Sequence, residues 1–176
     1  MMNFTVRIIG DPILRKTTKD IEKFDDSLKE LIQDMFDEMY KSDGVGLAAP
    51  QVGISRSFFV MDDGIEKRAV INPKILNFSE EEIIYEEGCL SIPEIFAEIS
   101  RPRKISVEYQ NPEGKKIKED LDEYTARIFQ HEFDHLKGRL FTDKLSVVSK
   151  ARIKKDLLKL NKEGQKIFKE HGELEI

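Results

Sequence analysis

Cysteine and tryptophan are nearly absent from this chain, which has one cysteine, Cys89, and no tryptophan among its 176 residues. A single cysteine excludes a disulfide within the chain. Without further context such a residue is most often a small buried hydrophobe, although a metal ligand and a nucleophile are the functional alternatives. No run of about 18 apolar residues occurs, so the sequence predicts no transmembrane helix.

Charge and the first residues restrict the location and the partners of the protein. Residues 1–10 lack the long apolar segment of a secretory signal peptide, and we expect a cytoplasmic protein that does not contact a membrane. The formal net charge of -5 argues against a general nucleic-acid binder, so no DNA partner is expected. A content of 39% hydrophobic residues suits one domain, residues 1–176, with a core of its own.

Hydrophobic periodicity predicts three helices and several strands. The helices are an amphipathic one over Asp26–Lys41, a second over Asp122–Lys137 that ends at Gly138, and a C-terminal one over Val147–Lys169. Strands are predicted at 57–62, 69–76, 83–85, 98–99, 104–109 and 115–121. Pro73 indicates that the second strand is an edge strand or contains a bulge. This order predicts an α+β fold, with a mostly antiparallel sheet packed around a central second helix.

The second predicted helix contains an HExxH motif, His131-Glu132-Phe133-Asp134-His135. Residues four apart lie on one helix face with Cβ atoms about 5–6 Å apart, so two imidazoles can bind one metal ion. Glu132 lies beside that face and can act as a general base towards a water molecule. Two solvent-exposed histidines are the alternative explanation.

A catalytic divalent site usually takes three protein ligands and leaves one position for water. Metalloproteases take the third ligand from a residue downstream of the helix, where Glu163, Glu170 and His171 lie in a highly charged segment. The alternative is Cys89 in the sequence EGCLS, residues 87–91, where the neighbouring Gly88 lets backbone approach a ligand closely.

A third segment, GVGLAAPQVG at residues 44–53, is rich in glycine and alanine. Such residues fill a core poorly but suit a loop where a substrate backbone passes close to the protein backbone. A tight turn between a helix and a strand explains this segment equally well when it is taken alone. It is not a phosphate-binding loop, because no strand precedes it and no Lys-Ser/Thr pair ends it.

Together, GVGLAAPQ, EGCLS and QHEFDH stand in the order in which peptide deformylases carry GxGxAAxQ, EGCLS and HExxH. The chain resembles that family along nearly its whole length, including the segment HLKGRLF at residues 135–141. The resemblance implies metal-dependent hydrolysis of the N-formyl group from the formyl-methionine of nascent polypeptides, with release of formate.

The resemblance also implies roles for the matching positions. Glu132 would be the general acid and base. The side-chain amide of Gln51 and the backbone N–H of Leu90 would form the oxyanion hole, in which one donor contributes about 2.7–4 kcal/mol. The metal ligands would be Cys89, His131 and His135.

The resemblance further implies that the substrate binds as an added strand along Gly46 and nearby backbone. Its methionine side chain needs an apolar pocket, and Tyr124 and Ile128 lie on the helix face that carries the two histidines. Phe96 and Arg127 stand where the pocket side chains of the family vary. The substrate-binding residues are therefore predicted to be Val45, Gly46, Tyr85, Gly88, Tyr124 and Ile128.

The sequence leaves alternatives open for the identity of the metal ion and for the reaction. A set of one cysteine and two histidines can hold Fe2+, Zn2+, Ni2+ or Co2+, and the resemblance favours one Fe2+ ion in the cell. A zinc endopeptidase would use the same HExxH motif with a downstream third ligand, so metal binding would not need Cys89. A non-catalytic ribosome-binding protein would carry a structural metal, which usually has four protein ligands, and the sequence offers no obvious fourth.

Asp134 points away from the predicted metal face of the helix. We expect it to anchor the helix by pairing with a basic residue, with Arg101 as the first candidate. A solvated surface carboxylate is the alternative.

The predicted C-terminal helix is strongly basic. Lys144–Lys169 contains nine basic and two acidic residues, a net charge of +7 in a chain whose total is -5. Ile153, Leu157, Leu158 and Leu160 give the helix an apolar side that should pack on the body. The basic side is then predicted to contact ribosomal RNA, as the resemblance also implies, while a lysine-rich face that only maintains solubility is the alternative.

Overall fold

The computed structural model describes residues 2–176, and within this range the chain forms three α-helices and seven strands. The helices are α1 (Asp26–Lys41), α2 (Glu123–Leu136) and α3 (Val147–His171). The strands are β1 (Gly46–Ala48), β2 (Phe58–Asp62), β3 (Lys67–Phe78), β4 (Glu82–Cys89), β5 (Ile92–Pro102), β6 (Lys104–Gln110) and β7 (Lys116–Asp122).

The strands form two antiparallel sheets, which confirms the predicted α+β class. The larger sheet has the order β1-β2-β3-β6-β7, and β4 pairs with β5 in a separate hairpin. Of the two alternatives predicted at Pro73, the edge strand does not apply, because β3 lies in the middle of the larger sheet. The predicted bulge is present, since the register with β6 shifts between Ile71 and Lys74.

Alternate residues of β2 point to opposite faces of the larger sheet and define two cores. Phe58 and Val60 belong to the core under α1, whereas Phe59 and Met61 belong to the core that includes Phe129 of α2. The two helices therefore cover different faces of the sheet. Asp25 caps the N-terminus of α1, because its Oδ1 accepts a hydrogen bond from the N–H of Leu28 at 3.0 Å.

The basic helix α3 packs on a third core, which contains residues of β5 and of the N-terminal segment. Ile153, Leu157 and Leu160 contact this core as predicted, while Leu158 is 54% exposed. No helix within the described range 2–176 is long and apolar enough to span a bilayer.

Backbone contact joins α3 to the N-terminal segment. A Cβ atom on Gly164 would overlap the carbonyl oxygens of Ile8 and Ile9, so only glycine allows this approach. Further along, Arg7 donates from Nη2 to the carbonyl oxygen of Gly172 at 2.5 Å. These contacts hold residues near both ends of the described chain together.

Candidate active site

The side chains of Cys89, His131 and His135 meet where the β4–β5 hairpin contacts α2. One potential ligand atom of each residue lies within 4.8 Å of the others, and Cys89 Sγ is 3.4 Å from His135 Nε2. The two imidazole rings are 5.3 Å apart between centroids, as expected for helix residues four apart. Within residues 2–176 this is the one cluster of three or more such groups that could hold a metal ion.

The downstream alternatives lie elsewhere. Glu163, Glu170 and His171 are exposed on α3 and do not join the cluster of Cys89 and the two histidines. The arrangement required by a zinc endopeptidase with a downstream ligand is therefore not found among the described residues.

Glu87 orients the first histidine, His131, a role that was not predicted from the sequence. Its Oε1 lies 2.9 Å from Nδ1 of His131, so the other ring nitrogen, Nε2, is left for the cluster. Arg101 donates to both carboxylate oxygens of Glu87 at 2.6 and 3.0 Å, and Arg127 donates to Oε2 at 2.7 Å. Burial by itself would raise the pKa of Glu87, but hydrogen bonds from His131 and Arg101 hold that pKa well below its usual range.

Arg101 connects the hairpin to the helix. Its Nη1 donates to Oδ2 of Asp134 at 2.8 Å, and both side chains are buried. This confirms the predicted pairing of Asp134. Because the same guanidinium also binds Glu87, it fixes α2 relative to the strand that carries Cys89.

Exchanging Glu87 for glutamine is expected to lower metal affinity about 10–100-fold, the usual effect of losing the partner that orients a ligating histidine. The affinity is measured by competition with a chromophoric chelator. Glu98→Gln is the matched control, since Glu98 is an exposed carboxylate on the same hairpin. Equal affinities for the two variants would argue against a role for Glu87 at the metal.

Glu132 is only 4% exposed and faces the same site. Its Oε1 has no hydrogen-bond partner among the described residues. Its carboxylate occupies the space that a Cβ atom on Gly46 would need, so glycine at that position makes room for Glu132. Burial raises the pKa of Glu132 to about 7, which suits a group that gains and loses a proton near neutral pH.

Gln51 is held by its own loop with its amide nitrogen towards Cys89. Its Oε1 accepts from the N–H of Ala48 at 2.9 Å, and its Nε2 donates to Oγ of the buried Ser91 at 3.1 Å. The same Nε2 lies 3.5 Å from Cys89 Sγ. Leu90 follows Cys89 directly and packs its side chain against the core under α1.

A cavity of about 480 Å³ opens beside the cluster. It is lined by Gln51, Cys89, Leu90, His131 and Glu132, and by five of the six predicted substrate residues: Val45, Gly46, Gly88, Tyr124 and Ile128.

Tyr85 is the exception and does not line the cavity. Its ring lies 5.1 Å from the guanidinium carbon of Arg127, and its hydroxyl donates to Glu123 Oε2 at 3.3 Å. The assignment of Tyr85 to the pocket wall is thus corrected: it supports the side chain of Arg127. Phe96 and Arg127, which stand at variable pocket positions of the family, also line the cavity. Asp43, Glu86 and Glu94 line it as well and were not predicted from the sequence.

A thiolate and two imidazoles are suitable ligands for a divalent ion, and the unpartnered Oε1 of Glu132 can bind a water molecule beside them. Such a site can activate water and protonate a leaving amine, which is the chemistry of a metal-dependent amide hydrolase. The comparisons with known proteins identify the family.

The family model of polypeptide deformylases matches residues 4–151. A peptide deformylase from Thermotoga sp. (strain RQ2) is 54% identical over 155 residues, which are 88% of this chain and 94% of the relative. One from Fusobacterium nucleatum is 40% identical over 173 residues, 97% of this chain and 99% of the relative. The chain belongs to the peptide deformylase family and is a metal-dependent hydrolase.

Solved structures agree with the sequence relatives. The crystal structure of the Thermotoga maritima peptide deformylase superposes with a TM-score of 0.81 at 55% identity, covering 83% of this chain and 99% of that one. The peptide deformylase from Thermus thermophilus superposes with a TM-score of 0.87 at 38% identity, covering 92% of this chain and 99% of that one.

Proposed function

We propose that this protein removes the N-formyl group from the formyl-methionine of nascent polypeptides, using Glu132 to move protons. The observation that carries this proposal is the position of the unpartnered Glu132 carboxylate. It shares one cavity with Cys89 and His131, two members of the Cys-His-His cluster.

The chain's own groups account for each step of the hydrolysis. Cys89, His131 and His135 would hold a divalent ion, which would supply Lewis acidity to the reaction. Glu132 accepts a proton from the attacking water and donates it to the leaving amine. As negative charge develops on the formyl oxygen, the amide of Gln51 and the N–H of Leu90 donate hydrogen bonds to it.

The substrate backbone is proposed to lie along the edge of β1 that pairs with no other strand of the described residues. This strand ends the larger sheet and pairs only with β2 within the described range, so the backbone of Gly46 is available to an extended peptide. Val45, Tyr124 and Ile128 then surround the methionine side chain, and Gly88 allows close approach from β4. A formyl carbon bears only hydrogen beyond its oxygen and nitrogen, so a closely fitting site excludes an acetyl group by size.

The decisive experiment measures formate release from formyl-Met-Ala-Ser together with the metal content of anaerobically purified protein. We expect one divalent ion per chain, Fe2+ in the cell, with Zn2+, Ni2+ or Co2+ as alternatives that the same ligands accept. Cleavage of internal peptide bonds without formate release would support the endopeptidase instead.

Two proposals on organisation and location accompany this function. We propose that residues 1–176 form one catalytic domain, because α3 contributes Ile153, Leu157 and Leu160 to a core shared with β5. We also propose a cytoplasmic location, where formylated chains emerge from ribosomes.

We further propose that α3 docks the enzyme on the ribosome. The nine basic residues of Lys144–Lys169 are all exposed, and none of them forms an ion pair with another residue in the range 2–176. The apolar side of the helix is occupied by the body, so the free charges face outwards and suit phosphate groups of ribosomal RNA.

Charge removal tests this docking better than truncation, because deleting α3 would also open the third core. Neutralising four exposed lysines on α3 is expected to weaken ribosome binding at least tenfold and to reduce its salt dependence. The test variant is Lys155→Gln, Lys159→Gln, Lys162→Gln and Lys166→Gln. The control neutralises four exposed lysines elsewhere: Lys19→Gln, Lys41→Gln, Lys74→Gln and Lys115→Gln.

Co-sedimentation with ribosomes at several salt concentrations provides the measurement. Equal binding by the two variants would eliminate a specific role for α3. Hydrolysis of formyl-Met-Ala-Ser by each variant reports whether the enzyme itself is intact.

A further inference from the structure

Three exposed carboxylates line the active-site cavity, each from a different element. Asp43 follows α1, Glu86 lies on β4 and Glu94 lies on β5. The ion pairs of this region involve other carboxylates, since Arg101 and Arg127 bind Glu87. Within residues 2–176 the three exposed carboxylates therefore have no cationic partner. We call Asp43, Glu86 and Glu94 the acidic rim.

No lysine or arginine side chain is free to offset the charge of the rim. Arg127 is the one lysine or arginine that lines the cavity, and its guanidinium already donates hydrogen bonds to other groups of the protein. It donates to Glu87 at 2.7 Å and to the carbonyl oxygens of Ile99 and Ile83 at 2.9 and 2.6 Å. Glu98 stands opposite Glu86 in the β4–β5 register, which adds a further negative charge beside the rim.

The buried end of the same cavity contains Glu132, with its unpartnered Oε1. The formyl group must react there, so a bound chain runs from Glu132 towards the exposed rim. A volume of about 480 Å³ is near the lower end for small-ligand pockets and suits the formyl-methionyl group. The side chains after methionine therefore pass the acidic rim.

We propose that the acidic rim selects formylated chains that carry lysine or arginine at one of the two positions after the methionine. The inference rests on the proposed function and adds a substrate preference to it. Cationic side chains are attracted by Asp43, Glu86 and Glu94. Aspartate or glutamate at the same place is repelled by them.

The measurement compares kcat/KM for peptides that differ in one charged side chain. The cationic pair is formyl-Met-Lys-Ala and formyl-Met-Ala-Lys, and the anionic pair is formyl-Met-Glu-Ala and formyl-Met-Ala-Glu. We expect the cationic peptides to be favoured about tenfold at low salt, chiefly through KM, because three exposed charges each contribute modestly. The ratio should fall towards about twofold at 0.5 M salt, where the Debye length is a few ångströms.

Two matched variants test whether the charge preference arises from the acidic rim. The rim variant is Asp43→Asn, Glu86→Gln and Glu94→Gln, and it is expected to lose most of the charge preference. The control variant is Asp20→Asn, Glu30→Gln and Glu80→Gln, which changes the net charge equally at exposed positions outside the cavity. It is expected to keep the preference.

Three outcomes would overturn the inference: equal rates for cationic and anionic peptides in the parent protein, an unchanged preference in the rim variant, or an equal loss in the control. The neutral peptide formyl-Met-Ala-Ser separates this failure from failure of the proposed function. If the function fails, no peptide releases formate, whereas if only the rim inference fails, all peptides release it without charge preference.

Discussion

Replacing Glu132 by alanine is expected to lower kcat for formyl-Met-Ala-Ser by about 10²–10⁴-fold while the protein keeps its metal. The carboxylate is not part of the Cys-His-His cluster, and its Oε1 is buried without a partner among the described residues. Its proposed task is proton transfer in both halves of the reaction, so its loss should affect the rate and not metal binding. Steady-state kinetics and elemental analysis of the same sample provide the two measurements.

Glu132→Gln serves as the matched control, because glutamine preserves the shape of the side chain beside Gly46 but cannot accept the proton. A similar loss in both variants attributes the effect to proton transfer. If glutamine restored most of the activity, packing would be the cause. If Glu132→Ala emptied the site of metal, Glu132 would have to be a ligand.

Cys89→Ser is expected to lose metal and activity together. A serine hydroxyl is a harder and far less acidic donor than a thiol, so it does not replace a thiolate on a borderline divalent ion. The loss of affinity should exceed the 10–100-fold expected for Glu87→Gln, because Cys89 would bind the ion itself and Glu87 only orients His131.

Metal content after gel filtration and the temperature of unfolding are measured for Cys89→Ser and for Glu98→Gln, an exposed control on the same hairpin. Retention of one tightly bound ion per chain by Cys89→Ser would contradict the assignment. The third metal ligand would then have to be a residue outside the cluster, as a zinc endopeptidase requires.

The helices and the pair of histidines could be predicted because their signals are local, whereas Cys89 was assigned as the third ligand only through the family resemblance. The apolar stripe of α1 predicted its bounds, and the spacing of His131 and His135 placed both rings on one face of α2. Asp134 was also predictable, since it lies off the face that carries the two histidines and, as a carboxylate on a helix, needs a basic partner such as Arg101.

The β4–β5 hairpin was predicted less well, because its charged residues hide the alternation that marks a strand. Only 83–85 and 98–99 were expected of strands that span Glu82–Cys89 and Ile92–Pro102. Which side of β4 faces the cavity depends on the register, and a shift of one residue exchanges the two faces. Tyr85 was misplaced, and Glu87 was overlooked because its three partners come from β5 and α2.

The contacts between α3 and the N-terminal segment affect the order in which the molecule can be completed during its own synthesis. The backbone of Gln51 accepts a hydrogen bond from the N–H of Arg7, and Arg7 in turn binds the carbonyl oxygen of Gly172. Leu174 donates to the carbonyl oxygen of Gly53 at 2.7 Å. The loop that contains Gln51 thus gains part of its support only once residues 172–174 have been translated and have left the ribosome.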